Sequence, residues 1–326
     1  NMCNQLYQYH KFDFNNLTRG FLRFLWGLFK ILVISQRIGI FVDTVYGNLV
    51  EFNGVYVILA ILLYTIQLYT NFSGSIDIIM GISETMGIKL PENFTSPFLS
   101  KTITEFWRNW HITLGNWLKD YIFYPLLKST FMQKIMQFCK KKFGKKVGKK
   151  IPTYISMFIL WLTIGIWHGG AYTYILASGL LQFLFIMCED LFIPVSKKIN
   201  KIFKIDTDKF SYKLFQMIRT YILFSLSMVF FRAENISSGI EVLKNIFVFN
   251  PWVLLDHSSL YLAGLNNYNF YILNLAIIIL FIIEYLKTKF DIREKLLEQN
   301  LMFRWGLIYI LIFSIVIFGC YGAGYE

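Results

Sequence analysis

Long apolar runs separated by short polar or basic stretches dominate the chain from residue 21 to its end. Residues 1–20 are polar. Residues 21–47 are apolar but interrupted by Arg23, Lys30, Arg37 and Asp43, a pattern that predicts an amphipathic or partly submerged helix. Residues 54–70 predict a span that runs into a break at Asn71-Phe72-Ser73-Gly74, followed by a semi-apolar stretch, 76–88. Residues 91–120 mix Trp, Arg, His and Asp after Pro91 and Pro97 and are the least membrane-like part of the first half. Tyr121–Leu127 is apolar again, and Lys134 to Lys150 reads as a loop with eight lysines.

Apolar stretches at 153–167 and 171–188 follow, joined by Trp167-His168-Gly169-Gly170. Further spans are predicted at 214–231, 270–286 and 305–322, each near the ~20 residues that cross a hydrocarbon layer. No internal repeat and no soluble domain is visible. The pattern predicts an all-α, polytopic transmembrane bundle, with 1–326 a single membrane-embedded domain. The chain reads as a fragment, incomplete at both ends, because it starts at Asn1 without a signal-peptide pattern and stops after Tyr325-Glu326.

Charge adds an orientation. The basic loops 134–150, 197–213 and 287–304 all fall on one side if the intervening stretches cross the bilayer, and basic loops face the cytoplasm. Loop 232–269 is then outside. Composition agrees with a lipid environment: 56% of residues are hydrophobic, 19% aromatic and 16% charged, with mean hydropathy +0.49. A soluble domain carries roughly 25% charged residues. The net charge of +12 sits in short loops rather than on a face with exposed aromatics, so a nucleic-acid partner is not expected. Cys3, Cys139, Cys188 and Cys320 form no CxxC or Cys/His cluster, and neither a disulfide framework nor a metal site is expected.

The candidate chemistry lies in four histidines. His10 and His257 are in polar segments and read as unremarkable. His168 lies midway through some 35 apolar residues, between Trp167 and two glycines. An ionisable group inside a membrane segment is costly and usually faces a cavity. The glycines permit close approach and break the helix, and an imidazole near pKa 6.5 is suited to take a proton from a hydroxyl. The alternative is a packed histidine bonded to a neighbouring helix carbonyl. His111 lies in Glu105-Phe106-Trp107-Arg108-Asn109-Trp110-His111. Helical spacing puts Trp107, His111 and Leu114 on one face, with Trp110 and Trp117 nearby. That face lines a pocket or, alternatively, forms an interfacial aromatic belt. No GxSxG, HExxH, Walker or GxGxxG pattern is present.

Three segments resemble the membrane-bound O-acyltransferase family, specifically its bacterial alginate O-acetyltransferase branch. They are Gln67–Asp77 with Pro91-Glu92-Asn93-Phe94, Ser100–Leu114 continuing through Trp117–Tyr121 to Tyr124-Pro125-Leu126, and Gly165–Thr173. Val229-Phe230-Phe231-Arg232-Ala233 is a weaker echo. The resemblance covers most of the chain and implies that N-terminal helices of the family are missing here. It implies a helical bundle with a central funnel, in which His168 is the catalytic intramembrane histidine and His111 the second family histidine. Trp107, Trp110, Trp117 and Trp167 are the implied channel-lining residues, with Asp120, Asn71 and Asp77 as further donor or channel candidates. The family commonly has Asp at the position of Asn71 and Tyr at that of Ser75.

The expected reaction is transfer of an acyl group, acetyl foremost, from a cytoplasmic thioester such as acetyl-CoA, with no bound cofactor. The expected acceptor is a hydroxyl of an extracytoplasmic polysaccharide or of a relay partner. The implied setting is the plasma membrane, with an extracytoplasmic SGNH-type esterase-like protein as partner. Two rivals remain: D-alanyl transfer toward teichoic acid, and a proton-coupled transporter. The second counts for less, because 165–170 has no broken twin.

Overall fold

A computed structural model describes residues 2–322, which are predominantly helical with no strand among them. The principal helices are α1 (Phe14–Gly47), α2 (Val55–Thr85), α3 (Ile103–Asn109), α4 (Ile112–Leu118), α5 (Thr130–Trp167), α6 (Tyr172–Ile202), α7 (Phe210–Arg232), α8 (Asn267–Lys287) and α9 (Leu301–Phe318). Among the described residues, all but α3 and α4 are long and apolar enough to cross a membrane. The chain divides into two compact units, residues 1–96 with 244–326 and residues 97–243.

In the first unit α1 and α2 pack closely because glycines recur seven residues apart on both. Gly20 faces Gly81 and Gly27 faces Gly74, an antiparallel match in which each glycine lies against the other's carbonyl. A Cβ at Gly27 would sit 2.6 Å from the Gly74 oxygen, and one at Gly74 would sit 2.9 Å from the Gly27 oxygen. Lipid offers helices no hydrophobic drive to associate, so such close backbone approach is a main source of their packing.

Two predictions are corrected here. Residues 21–47 belong to a continuous 34-residue helical run apolar enough to span, not to a partly submerged helix. Its charges face protein: Arg23 pairs with Asp77 and Glu92, Lys30 with Asp77, and Arg37 donates to Asn269 Oδ1 and to backbone carbonyls. The lysine is reached through a π-helical turn, Phe29–Ser35, inside α1. The predicted break at residues 71–74 is also absent, since α2 runs unbroken from Val55 to Thr85. Ser73 and Gly74 there meet α1 rather than ending a helix.

In the second unit the predicted lysine loop is helical. It forms the start of α5, which folds back on itself at Gly144 (φ 81°, ψ 165°), so that Gly148 rests on the backbone of Cys139 and Lys140. Only glycine adopts that backbone readily. The second arm of α5 then packs on α6. A Cβ at Gly165 would lie 2.7 Å from Ile175 Cα, and one at Gly179 would lie 2.9 Å from the Trp161 oxygen.

Candidate active site

The Thr102-Ile103-Thr104-Glu105 sequence starts α3. The Thr102 side chain accepts from Glu105 N at 3.0 Å, and the Glu105 carboxylate accepts from Lys101 N at 2.8 Å, close to a capping box. The helix ends after two turns. Trp110 is extended and His111 adopts a left-handed backbone (φ 47°, ψ 52°), after which α4 begins with His111 as its N-cap. The single helical face predicted for Trp107, His111 and Leu114 is therefore interrupted at the histidine itself. Trp107 and Leu114 still meet in one core, packed against Leu118, Trp161 and Ile164. A left-handed histidine is strained, and such backbones concentrate at functional sites.

His168 caps the C-terminus of α5, its N–H bonded to the Ile164 oxygen at 3.1 Å. Gly169 (φ 127°) and Gly170 (φ 76°) turn the chain into α6, conformations that side chains resist. The His168 ring is half-buried and meets Trp167 at 4.9 Å and Phe231 at 5.3 Å between ring centroids. Phe231 in turn lies 4.8 Å from Tyr174. The ring of His168 makes no hydrogen bond among the described residues, so the packed-histidine alternative lacks its carbonyl partner.

These turns bring the two histidines to one tryptophan. His111 meets Trp167 at 5.9 Å, on a ring that also touches His168. Burial pushes the His111 imidazole down to about 4, with repulsion from His168 adding to it, and burial lowers His168 below its ordinary 6.5. Both shifts favour the neutral imidazole. A neutral imidazole is a base, and a second one beside it supplies a donor or acceptor without adding charge.

The other candidates divide. Trp107 is held by a hydrogen bond from its indole Nε1 to Gln182 at 3.1 Å and packs against Trp161 at 4.8 Å. Trp110 is buried and stacks on Phe106 at 5.4 Å. Trp117 is exposed and pairs with Tyr121, and Asp120 is exposed. In the first unit Asn71 is exposed on α2. Asp77 is buried between Arg23 (2.8 Å) and Lys30 (2.6 Å), on the wall of a cavity of about 670 Å³ within that unit. His10 Nε2 donates to the Gln5 carbonyl, 2.6 Å away. The His257 side chain lies outside the described residues.

Sequence reasoning overlooked Gln182. Fully buried, it accepts from Trp107 and donates to Ser227 Oγ at 2.6 Å and to the Ala177 carbonyl at 3.1 Å, tying α3, α6 and α7 together. Its signal was an amide in an otherwise apolar run.

No cluster of His, Cys, Asp or Glu among the described residues could hold a metal ion. Helices of spanning length define a multi-pass membrane protein, and residues 1–139 match the membrane-bound O-acyltransferase family. The chain belongs to that family. It is 30% identical over 260 residues to the probable alginate O-acetylase AlgI of Pseudomonas syringae pv. tomato, covering 78% of this chain and 44% of the relative. It is 31% identical to the peptidoglycan O-acetyltransferase of Helicobacter pylori over 76% of this chain and 42% of that protein. The teichoic acid D-alanyltransferase of Bacillus subtilis is 34% identical over 48% of this chain and 34% of its own length. The chain thus spans less than half the length of these relatives. Family membership displaces the transporter reading.

Proposed function

We propose that this chain is the histidine-bearing part of a plasma-membrane O-acetyltransferase. It moves an acetyl group from cytoplasmic acetyl-CoA to a hydroxyl of an extracytoplasmic polysaccharide, or of an SGNH-type partner that relays it. The observation carrying this reading is the pair of half-buried histidines that meet at Trp167, 5.9 and 4.9 Å from its ring. His168 takes the proton of the acceptor hydroxyl as its oxygen attacks the thioester carbonyl. The tetrahedral intermediate then expels the CoA thiolate, which recovers the proton from the His168 imidazolium. His111 orients the thioester or stabilises the developing negative charge. Trp107, Trp110 and Trp167 shape the apolar surroundings, and the basic segments face the cytoplasm, where they attract an anionic donor. Two of the similar proteins carry O-acetylation in their names, which supports acetyl as the group moved.

The similarity to a teichoic acid D-alanyltransferase keeps one second reading, in which a carrier-protein thioester is the donor. The full-length protein in vesicles, supplied with acceptor and partner, distinguishes the two. Acetyl-CoA should release free thiol at the rate of acceptor acetylation. Release that requires an acyl-loaded carrier protein instead would overturn the acetyl-CoA assignment.

A further inference from the structure

The lysine-bearing face of the hairpin at the start of α5 is not part of the core. Residues 130–150 carry eight lysines and no acidic residue. Lys150 pairs with Asp190 at 2.5 Å, while Lys134, Lys140, Lys141, Lys142, Lys145, Lys146 and Lys149 make no ion pair among the described residues. Apolar side chains are exposed among them: Phe131 is 64% exposed, Phe138 63%, Phe143 51% and Val147 47%. Met132 and Cys139 point inward instead, so these phenylalanines are not the packing face of the hairpin.

The spacing is what a membrane surface would select. Phe131, Phe138 and Lys142 recur at i, i+7 and i+11 and share one helix face, with Lys134 and Lys141 beside it. Lys142 lies 5.9 Å from the Phe138 ring centroid and 5.5 Å from that of Phe143, so cation and rings form one surface. Aromatic side chains with lysines on flanking positions are the pattern of helices that lie in the headgroup layer. The fold-back at Gly144 brings the lysines of both arms to one tip, and the second arm continues into a helix of spanning length.

From this we propose that the 130–150 hairpin docks onto the bilayer's own surface as a sensor of anionic lipid, its phenylalanines entering the interface and its lysines neutralising headgroups. The preference of basic loops for the cytoplasm accounts for the side of the membrane, but it does not call for exposed phenylalanines between the lysines. An acidic carrier protein would suit the lysines. It gives no reason for rings at heptad spacing on a helix that leads directly into the membrane. The inference does not depend on the transfer chemistry proposed above.

The test uses full-length protein without its native cysteines, carrying Phe138→Cys labelled with an environment-sensitive fluorophore such as NBD. It is reconstituted in vesicles of phosphatidylcholine alone, and of phosphatidylcholine and phosphatidylglycerol in equal parts. In the mixed vesicles the emission should shift to the blue and quenching by acrylamide should fall severalfold. High salt should reverse both, because screening shortens from ~10 Å at 0.1 M to ~3 Å at 1 M. Replacing Lys140, Lys141, Lys142 and Lys145 by Gln should weaken docking by about fivefold per lysine. A second label at Phe131→Cys repeats the measurement with Phe138 intact. Identical emission and quenching in the two kinds of vesicle would overturn the proposal. A label that responds only when an acidic carrier protein is added would overturn it as well, and would give the surface to that protein.

Discussion

The two units treat ionisable groups inside a membrane protein in opposite ways. In the first, the buried charges of Arg23 and Lys30 are paired through Asp77. Lys30, 1% exposed, is bonded to Ser73 and Asp77, Arg23 spans Asp77 and Glu92, and Lys287 lies 2.9 Å from Glu284. In the second, His111 and His168 are half-buried against Trp167, and burial lowers both imidazoles. A carboxylate paired with two cations has little left to offer a substrate, whereas a neutral imidazole can take a proton. The difference separates a device that holds helices together from one that is available for chemistry.

The comparison can be broken most directly at His168. His168→Gln keeps size and hydrogen bonding but cannot take a proton near neutrality, so turnover should fall about 10²–10⁴-fold with folding preserved. Near-normal turnover in a well-expressed variant would remove the residue from the mechanism. The same pair makes a pH prediction. Because both imidazoles are lowered, the acid limb of kcat/KM should lie below 6.5, with activity flat above it. The sign for stability is the same. Between the folded and unfolded pKa values the unfolded chain binds more protons, so this contribution is present above 6.5 and lost as pH falls toward about 4. An acid limb above 6.5 would contradict the neutral pair.

Next in size is the paired cluster. Asp77→Asn leaves Lys30 buried without its anion and should cost about 3–5 kcal/mol, read as a lowered unfolding midpoint in detergent. Exchanging both partners, Lys30→Met with Asp77→Leu, should recover most of that loss. If the double variant is no more stable than Asp77→Asn, the pair is not acting as a structural unit. Gly27→Val, whose side chain would meet the Gly74 carbonyl, should cost about 1–3 kcal/mol by the same measurement. The smallest effect belongs to Asp120. It is exposed, and Asp120→Asn should leave stability within about 0.5 kcal/mol.

Much of the architecture was legible from periodic hydropathy, and two errors share a cause. Arg23, Lys30 and Arg37 made 21–47 look unfit to span, and Asn71 to Gly74 looked like a break. Hydropathy scores each residue alone, whereas the cost of a buried charge depends on partners 54 residues away in Arg23–Asp77 or 47 away in Lys30–Asp77. Likewise Gly74 reads as a breaker locally, but in the fold it is the surface on which Gly27 rests. The lysine-rich segment looked like a loop because its composition is polar, yet lysine is a good helix former and only Gly144 breaks the run.

At the candidate site, His168 between Trp167 and two glycines and His111 within a dense aromatic segment were visible as residue types in unusual company. That follows from chemistry that is local to the chain, since an imidazole in an apolar stretch stands out whatever it touches. What waited for the folded chain was their meeting across one indole, the left-handed backbone at His111, and the bond from Gln182 that holds Trp107. Those depend on which turn ends each helix and on the approach that glycines such as Gly165 and Gly179 allow between helices. Composition and hydropathy decide that the chain enters lipid as helices, because each residue pays its own transfer cost. Which charges are silenced and which imidazoles remain available is decided by packing between residues far apart in sequence.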